Sequence, residues 1–262
     1  MPQLTGKTAL ITGASVGIGR DLAEIFAANG HHLVVTARNR KQLTDLAIQL
    51  RQQHGVNVEV IDKDLSVPGM PQELFDQIQA RGIAIEYLVN NAGFGTHGKF
   101  AESDIASQLA MLQVNVVALT HLTRLFVPPM LARKSGRILN VASTAAFQPG
   151  PLMAVYYASK AYVVSFSEAL DAETHRKGLT VTTLCPGATS TEFQKRAGIQ
   201  HTRLFSATAM SSAAVAQIGY DAMMAGRRMV ITGFRNRVLA MGAKLAPRRI
   251  STAIAKKLNS NR

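Results

Sequence analysis

The sequence predicts a single α/β domain built on a doubly wound, mostly parallel sheet of about seven strands with helices on both faces. Short β-rich runs alternate with longer helical stretches along the chain, as in successive βαβ units. Several of these runs, such as Leu33-Val34-Val35, are apolar at every position, which indicates strands buried on both faces. The 262 residues contain no solenoid-length repeat and no low-complexity linker, so we assign residues 1–262 to one domain.

The strands follow from short runs rich in β-branched and apolar residues that are bounded by turn residues. They are expected at residues 8–12, 32–36, 56–61, 87–89, 137–142, 180–184 and 229–232. The helices follow from longer amphipathic stretches. They are expected at residues 17–29, 42–53, 71–80, from 105 onward and 155–176.

The longest helical stretch carries one apolar stripe. Apolar residues recur there every three or four positions, at Ile105, Leu109, Leu112, Val116, Leu119 and Leu122. That spacing is typical of one face of an α-helix. Pro128 and Pro129 should end or kink this helix, because proline lacks the amide hydrogen that the helix needs.

Composition favours a soluble, cytoplasmic protein. The single cysteine, Cys185, can form no intrachain disulfide and is expected to be a small buried residue in a reducing compartment. Residues Met1 to Lys7 contain no apolar signal segment, and no run of about 18 uncharged apolar residues predicts a membrane-spanning helix. The seven histidines include no pair at i, i+3 or i, i+4 spacing, which argues against metal catalysis.

A glycine-rich run directly follows the first strand and opens the first helix. Its glycines are Gly13, Gly17 and Gly19, within the run from Thr12 to Gly19. Glycine allows a tight turn and lets backbone amides approach a pyrophosphate at the positively polarised helix N-terminus. No Gly-Lys-Ser/Thr follows, so this is not a Walker loop. The pattern therefore predicts a dinucleotide-binding fold of the Rossmann type.

Four motifs, in order, resemble those of the short-chain dehydrogenase/reductase family. They are Thr-Gly-x-x-x-Gly-x-Gly at residues 12–19, Asn-Asn-Ala-Gly at 90–93, the set Ser143, Tyr156 and Lys160, and Pro-Gly-x-x-x-Thr at 186–191. The resemblance implies hydride transfer between a nicotinamide cofactor and a ketone or secondary alcohol. It also implies a homodimer or homotetramer, commonly formed through the two long helices.

The end of the second strand indicates NADP(H) rather than NAD(H). An acidic residue there would bind the ribose 2′-hydroxyl, whereas an arginine accommodates a 2′-phosphate. Ala37 stands where NAD-dependent members of the family carry the acid, and Arg38 follows at once. Val16 counts against this prediction, since many NADP-dependent members are basic at that position. The alternative is that Arg38 only caps a solvated loop.

The resemblance implies further cofactor contacts along the chain. Asp64 resembles the family's adenine-contacting residue, whereas Asn90 is expected to tie neighbouring strands together. The full set of expected cofactor contacts is Gly13, Ser15, Gly17, Ile18, Gly19, Arg38, Asp64, Leu65, Asn91, Ala92, Gly93, Tyr156, Lys160, Pro186, Gly187, Thr189 and Thr191.

Tyr156 and Lys160 are the expected proton-transfer pair. They lie four residues apart on a predicted helix and so project from one face. The lysine ammonium and the charged nicotinamide should together lower the tyrosine pKa by favouring the phenolate. Tyr157 is the rival tyrosine, but it breaks the Tyr-x-x-x-Lys spacing.

The resemblance also implies roles for the residues around this pair. Ser143 would donate a hydrogen bond to the substrate carbonyl, Lys160 would bind the nicotinamide ribose, and Asn115 would position a water that relays protons toward the lysine. A nucleophilic role for Ser143 lacks the G-x-S-x-G pattern. Asparagine is a poor helix former, so its presence inside the predicted helix favours a functional role for Asn115, and the alternative is a surface position.

The substrate side is expected to be apolar. The residues that flank the motifs and predict this wall are Phe94, Phe147, Pro149 and Met153. Residues 192–212 resemble the family's variable substrate loop, and an apolar carbonyl such as a 3-oxoacyl thioester is the expected substrate. His97 and Gln148 are candidates for polar contacts, or else for core or surface roles. The alternative function is a non-catalytic NADPH-binding regulator, which would have no need of the serine, tyrosine and lysine set.

The positive charge is concentrated near the C-terminus. The net charge is +13, and residues 222–262 contain ten Lys/Arg residues and no Asp or Glu. Within the tail at 234–262, apolar residues recur at helical spacing on either side of Pro247. Such a basic amphipathic segment suits peripheral contact with an anionic membrane. The favoured alternative is that its apolar stripes cover the substrate pocket or a partner subunit. Nucleic-acid binding is not expected, since the tail has one aromatic residue and no reader motif.

Overall fold

The computed structural model describes residue 4 and residues 6–190, 192–198 and 209–260. Its strands are β1 (Thr8–Thr12), β2 (His32–Thr36), β3 (Val58–Val60), β4 (Ile85–Asn90), β5 (Gly136–Val141), β6 (Leu179–Cys185), β7 (Thr189–Ser190), β8 (Met210–Ser211) and β9 (Met229–Ile231). Its α-helices are α1 (Gly17–Ala28), α2 (Arg40–His54), α3 (Met70–Ala80), α4 (Ile105–Leu112), α5 (Leu119–Ala132), α6 (Ala154–Thr174), α7 (Phe193–Ala197), α8 (Ser212–Met224), α9 (Phe234–Leu245) and α10 (Arg248–Asn259). Short 3-10 segments lie at Phe100–Glu102, Thr144–Phe147 and His175–Lys177, and a π-helical segment at Gln113–Ala118 joins α4 to α5.

The main sheet has seven strands in the order β3-β2-β1-β4-β5-β6-β9, and every neighbouring pair is parallel. The predicted doubly wound parallel sheet is therefore confirmed. The strand order reverses between β1 and β4, and in open α/β sheets a crevice forms outside the carboxyl ends of the strands at such a point. Strands β7 and β8 form a separate parallel pair.

Alternate residues of the central strands pack into two cores, one on each face of the sheet. Ala9 and Ile11 of β1 share a core with Phe26 of α1, whereas Leu10 between them packs with Phe126 of α5 on the other face. Because helices cover both faces, these strands have no polar face, which explains their uninterrupted apolar runs. Cys185, at the end of β6, is buried, as predicted.

The long helix does not end at its prolines. α4, the π-helical segment and α5 run without a break from Ile105 to Ala132, and Pro128 and Pro129 lie inside α5. The expectation that the prolines end the helix is therefore wrong, and the other expectation, a kink at the prolines, stays a prediction. Phe126 and Met130, on either side of the prolines, are buried in the core, and this packing supports the last turn although two amide hydrogens are missing.

By length and composition, the same helix at 105–132 is the one in the described part of the chain that could cross a membrane. One of its faces belongs to the core through Ala118, Leu122 and Phe126. Another face exposes Ile105, Leu109 and Val117. Its apolar composition thus reflects a buried face together with an exposed apolar one.

Most other boundaries differ from expectation by a few residues. α2 begins early, at Arg40, because the side chain of Asn39 caps it by accepting a hydrogen bond from the amide of Gln42. β3 is shorter than expected because its ladder with β2 pairs only the residues opposite Leu33–Val35.

Candidate active site

A cleft of about 490 Å³ lies at the carboxyl edge of the sheet, across the switch point between β1 and β4. Its walls come from the loops after β1, β2, β4, β5 and β6 and from α6. The expected site residues that line it are Gly13, Ser15, Gly17, Ile18, Arg38, Asp64, Leu65, Asn91, Ala92, Gly93, Phe94, Ser143, Met153, Tyr156, Lys160, Pro186, Gly187 and Thr189. Motifs from both halves of the chain therefore meet in one cleft.

The glycine loop after β1 is tightly packed. Gly13 has a left-handed backbone, with φ of 66°, and a Cβ atom there would lie 2.9 Å from Cα of Ala92. A Cβ atom on Gly19 would lie 2.3 Å from the carbonyl oxygen of Gly13. Gly19 thus lies behind the loop and does not line the cleft, whereas Gly17, where α1 begins, does. The glycines bring the N-terminus of α1 to the cleft wall.

Thr12 and Asn91 hold the glycine loop against the end of β4. Oγ1 of Thr12 accepts hydrogen bonds from the amides of Asn91 at 3.0 Å and Ala92 at 2.9 Å. Nδ2 of Asn91 donates to the carbonyl oxygens of Thr12 at 2.9 Å and Gly13 at 3.2 Å. The Asn91 side chain therefore fixes the shape of the loop in addition to lining the cleft.

Asn90 links two neighbouring strands. Its Nδ2 donates to Oδ1 of Asn140 at 2.9 Å, which joins β4 to β5, and to Oγ1 of Thr123 at 3.0 Å. The expectation that Asn90 ties neighbouring strands together is confirmed.

Arg38 and Asp64 lie together at one end of the cleft. Nη1 of Arg38 is 4.0 Å from Oδ2 of Asp64, and the arginine side chain is 62% exposed. Asp64 is oriented by Ser66, whose amide and hydroxyl donate to Oδ1 at 2.9 and 2.7 Å. An exposed ion pair at this distance is weak, so the guanidinium remains able to bind an anion.

Ser143, Tyr156 and Lys160 meet at another part of the cleft. Tyr156 and Lys160 lie one turn apart on α6, and Nζ of Lys160 is 5.9 Å from the centroid of the Tyr156 ring. Ser143 follows β5 and lines the cleft with Tyr156, and its Oγ donates to the carbonyl oxygen of Pro186 at 3.4 Å. Nζ of Lys160 donates to the carbonyl oxygen of Val141 at 2.8 Å. A Cβ atom on Gly93 would lie 3.3 Å from that Nζ, so the lysine lies beside the turn after β4.

Burial shifts both ionisable groups toward their neutral forms. It raises the pKa of Tyr156, and the Ser143 side chain opposes this rise because it can hydrogen-bond to the phenolate. It lowers the pKa of Lys160 to about 8, because a buried ammonium is poorly solvated. The expected lowering of the Tyr156 pKa is therefore not a property of the protein by itself, since desolvation outweighs an ammonium held 5.9 Å from the ring.

Asn115 lies in the π-helical segment and fixes the loop after β4. Its Oδ1 accepts from the amide of Phe94 at 3.1 Å, and its Nδ2 donates to the carbonyl oxygen of Phe94 at 2.9 Å and to Oγ of Ser159 at 3.0 Å. Asn115 is buried, so the surface alternative is wrong. It does not line the cleft, but a Cβ atom on Gly93 would lie 3.0 Å from its Oδ1. Such π-helical segments are frequent at functional sites.

Apolar side chains surround the ring of Tyr156. The centroid of the Phe193 ring is 5.4 Å from that of Tyr156, and both rings pack in a cluster with Met153 and Phe94. A Cβ atom on Gly95 would lie 3.0 to 3.3 Å from atoms of Phe193, Tyr156 and Met153. The absence of a side chain at Gly95 allows these groups to close around the tyrosine.

Phe147 lies outside the cleft, contrary to its assignment to the substrate wall. It ends the 3-10 segment Thr144–Phe147 and packs against the cluster that contains Ala142, Val163 and Cys185. The tight turn after Ser143 carries Phe147 back against α6 and β6 and away from the cavity. Gln148, next in the chain, lines the cleft instead, whereas Pro149, assigned to the same wall, is exposed and does not line it.

Part of the expected site lies outside the described residues, namely Thr191 and residues 199–208 of the substrate loop. The described parts of that loop contain α7 and β8. Glu192 and Phe193, at its start, line the cleft.

Asn259, in α10, is a residue at the edge of the site that sequence reasoning missed. It is buried, and its Oδ1 accepts from the Tyr157 hydroxyl at 3.1 Å. Its Nδ2 donates to the carbonyl oxygen of Pro151 at 2.9 Å, and its own carbonyl oxygen lies 2.7 Å from Nε2 of His97. The rival tyrosine is thus hydrogen-bonded to the C-terminal helix. The available signal was the helical spacing of Ser251, Ala255 and Asn259, which forms the buried stripe of α10.

The cleft fits an extended dinucleotide. Its middle is edged by Gly13, Gly17 and the start of α1, as a pyrophosphate requires. One end holds the cationic Arg38, and another holds Tyr156 and Lys160.

Comparison with known proteins agrees with this geometry. A family model described as short chain dehydrogenase matches residues 7–202. A very-long-chain 3-oxoacyl-CoA reductase of Anas platyrhynchos is 35% identical over 196 residues, which are 72% of this chain and 62% of that protein. The chain therefore spans less than two thirds of the length of that relative.

Two solved structures are similar over most of their length. A short-chain dehydrogenase from Sphingobium yanoikuyae in complex with NADPH has a TM-score of 0.80 and 31% identity, covering 90% of this chain and 92% of that one. A short-chain dehydrogenase/reductase from Burkholderia phymatum in complex with NAD has a TM-score of 0.80 and 28% identity, covering 92% and 94%.

Proposed function

The chain belongs to the short-chain dehydrogenase/reductase family of oxidoreductases, and on that premise we propose that it is an NADP(H)-dependent enzyme that interconverts an apolar ketone and the corresponding secondary alcohol. The observation that carries this proposal is the meeting of Ser143, Tyr156 and Lys160 in a glycine-edged cleft. We infer further that residues 1–262 act as a single domain, and that the protein works in a reducing cytoplasm, because its one cysteine leaves no intrachain disulfide to form.

Tyr156 is the proposed general acid and base. The nicotinamide supplies or accepts the hydride. The Tyr156 hydroxyl gives a proton to the carbonyl oxygen during reduction and takes one from the alcohol during oxidation. Because burial keeps Tyr156 protonated in the protein alone, reduction begins from the form that it requires. Ser143, which lines the cleft with Tyr156, donates to the same substrate oxygen.

Lys160 and Asn115 support the tyrosine in this proposal. With a pKa of about 8, Lys160 is mainly an ammonium at neutral pH and can donate to the nicotinamide ribose while favouring the phenolate during oxidation. Asn115 holds the backbone of Phe94 and lies beside Gly93, next to the lysine, where a relayed water would pass.

Arg38 supports the assignment of NADP(H). Its guanidinium lies at the cleft rim, largely exposed, with a single 4.0 Å contact to Asp64. A 2′-phosphate would give it two charge-assisted hydrogen bonds, which a 2′-hydroxyl cannot accept as well. The two structural neighbours carry NADPH in one case and NAD in the other, so in this proposal Arg38 makes the choice.

The proposed substrate is apolar next to its carbonyl group. Phe94, Met153 and Phe193 surround the Tyr156 ring and leave an apolar lining where the substrate would lie. The name of the Anas platyrhynchos relative, a reductase of very-long-chain 3-oxoacyl-CoA, fits such a wall. A 3-oxoacyl thioester or a bulky ketone is therefore the substrate class to test first.

We also propose a homodimer or homotetramer formed through the long helices. Ile105, Leu109 and Val117 on the helix at 105–132 are exposed, as is Tyr162 on α6. Tyr162 and Thr120 are joined by a 2.9 Å hydrogen bond, so these two helices present one continuous surface. An exposed apolar surface of this kind is typical of subunit interfaces.

A non-catalytic NADPH-binding regulator is not favoured. Such a protein would need the cleft but not the serine, tyrosine and lysine arrangement, whose geometry matches proton transfer at a carbonyl oxygen.

The test is a screen of NADPH oxidation with aldehydes, bulky ketones and 3-oxoacyl thioesters, followed by a matched pair of tyrosine variants. Tyr156→Phe should lower turnover about 100-fold or more and leave NADPH binding intact. Tyr157→Phe removes the same hydroxyl one residue away, where its partner is Asn259, and should keep most of the turnover. An active Tyr156→Phe beside an inactive Tyr157→Phe would reverse the assignment. Tight NADPH binding with no carbonyl reduced would favour the regulator.

A further inference from the structure

The C-terminal helices α9 and α10 expose large apolar side chains to solvent. Each of these side chains is between 52% and 86% exposed: Phe234, Val238, Leu239, Met241, Leu245, Ile250 and Ile254. The expectation that the apolar stripes cover the protein's own substrate pocket is therefore wrong for these residues. Among the described side chains, the buried residue of α9 is Ala240, and the buried residues of α10 are Ser251, Ala255 and Asn259. The larger apolar side chains of both helices therefore lie on the solvent side.

The same two helices carry charge of one sign. Their exposed basic residues are Arg235, Arg237, Arg248, Arg249, Lys256 and Lys257. Within the described part of the chain, none of these six forms an ion pair with a carboxylate. Two of the ten basic residues after position 222 do not belong to this surface: Arg227 and Arg228 precede β9, and Arg228 pairs with Asp171 at 2.9 Å. The helix pair therefore remains both apolar and cationic.

The helix pair is fixed at the mouth of the cleft. α9 packs against the 3-10 segment that follows Ser143, and a Cβ atom on Gly187 would lie 2.2 Å from Nδ2 of Asn236 in its first turn. α10 is joined to the loops around the site by the hydrogen bonds of Asn259 to Tyr157 and Pro151. Whatever binds the outer surface of the pair is thereby held close to the cleft.

We propose that α9 and α10 together form a docking surface for an anionic lipid bilayer, which the protein contacts from one side without crossing it. Apolar side chains at the acyl boundary and basic side chains at the headgroups are the two features that such binding needs. A second copy of the chain is a poor occupant, because a two-fold interface here would set one cationic surface against another. A nucleic acid would engage the six basic residues but leave the seven apolar ones in water. The bilayer uses both sets.

The direct experiment is co-sedimentation of the full chain with vesicles of phosphatidylcholine alone and of phosphatidylcholine with about three-tenths phosphatidylglycerol, at low and high salt. We expect binding to the anionic vesicles that weakens with salt and little binding to the neutral ones. Because the readout is binding, its failure would leave the proposed oxidoreductase activity untouched.

Two pairs of variants separate the charge from the apolar contribution. Lys256→Glu with Lys257→Glu should weaken binding to anionic vesicles by at least about 25-fold. The control, Arg176→Glu with Lys177→Glu, makes the same charge change just before β6, at the amino ends of the strands, whereas the cleft lies at their carboxyl ends. This control variant should bind anionic vesicles as wild type does. Phe234→Ser with Leu245→Ser should weaken binding about tenfold or more, whereas Ile48→Ser with Val67→Ser, which lie elsewhere, should not.

Several outcomes would overturn the proposal. One is the absence of binding to anionic vesicles at low salt, and another is an equal loss of vesicle binding in the control variants. A third is vesicle binding that the Phe234 and Leu245 substitutions do not change, which would indicate a purely electrostatic, nucleic-acid-like surface. A change of oligomeric mass in the Phe234 and Leu245 variant, without lipid binding by wild type, would assign the surface to a second copy. Thermal melting checks that each variant is folded.

Discussion

Lys160 is desolvated in the folded chain, and this burial lowers the stability of the protein. Its pKa is about 8 in the folded chain, against an ordinary value of 10.5. Above 10.5 neither the folded nor the unfolded state is protonated. As the pH falls from 10.5 toward 8, the unfolded state takes up a proton first and stability is lost, and below 8 the full penalty remains. The shift corresponds to about 3 kcal/mol.

Replacing Lys160 with methionine should therefore change how stability depends on pH. Relative to wild type, Lys160→Met should gain about 3 kcal/mol more in unfolding free energy at pH 7 than at pH 10.5, because only wild type carries the buried charge. Denaturant-induced unfolding of both proteins at the two pH values measures this difference. The variant lacks the hydrogen bond to Val141 at both pH values, so that loss cancels in the comparison. An unchanged difference between wild type and variant at both pH values would mean that Lys160 titrates normally.

Arg38 should set the cofactor preference by itself. Arg38→Ala should reduce kcat/KM with NADPH by about 10- to 150-fold, the value of a charge-assisted hydrogen bond, and leave kcat/KM with NADH nearly unchanged. Arg40→Ala is the matched control, since Arg40 pairs with Asp62 at 3.2 Å and is no part of the cleft lining. A wild-type enzyme that prefers NADH, or a ratio that Arg38→Ala does not move, would contradict the assignment.

At the scale of elements, α10 holds the loops around the site in place through hydrogen bonds. Asn259 joins Pro151 and Tyr157, and the amide of Gly98 donates to the carbonyl oxygen of Leu152 at 2.9 Å. Leu152 has φ of 69°, a strained conformation for a residue other than glycine, which persists only where its surroundings hold it. These contacts keep the loop before α6 in place, next to Met153 and to Tyr156, the proposed general acid and base.

Removing the Asn259 side-chain bonds should loosen the substrate site and spare the cofactor site. Asn259→Leu leaves the Tyr157 hydroxyl and the Pro151 carbonyl without their partner, which costs about 1–3 kcal/mol for each buried group. We expect KM for the carbonyl substrate to rise several-fold while the Kd of NADPH stays unchanged. Thr252→Ala, a change on the same helix but away from these loops, is the control.

A double-mutant cycle tests the contact itself. Tyr157→Phe and Asn259→Leu should be non-additive in KM, since both remove the same hydrogen bond. Additive effects would show that α10 influences the substrate site by another route.

At the scale of the whole molecule, the helix at 105–132 serves two surfaces. Its inner face completes the core, and its outer face exposes Leu109 and Val117, which we assign to the subunit interface. Leu109→Arg with Val117→Arg should convert the oligomer to smaller species in analytical ultracentrifugation, because a charge at an apolar interface is left unpaired. Ile48→Arg, on an exposed position of α2, should leave the mass unchanged. A monomeric wild-type protein would falsify this interface.

Local sequence patterns were enough to predict the strands of the main sheet, the helices as far as α6 and the motif residues that line the cleft. These depend on local patterns: apolar runs that form strands buried on both faces, the glycines between Thr12 and Gly19, and the spacing of Tyr156 and Lys160 on one helix face. The prediction that the prolines end α5 failed because the packing of Phe126 and Met130 in the core stabilises the helix despite the proline residues.

Which groups meet across the chain, and which of them are desolvated, depends on the tertiary structure. Tyr157 and Asn259 are 102 residues apart, and no local spacing records their hydrogen bond. Phe147 packs away from the cleft and the apolar stripe of α9 faces solvent, because helical periodicity fixes which residues share a face but not what that face contacts. The pKa values of Tyr156 and Lys160 likewise depend on burial, which arises only when β5, β6 and α6 pack around them.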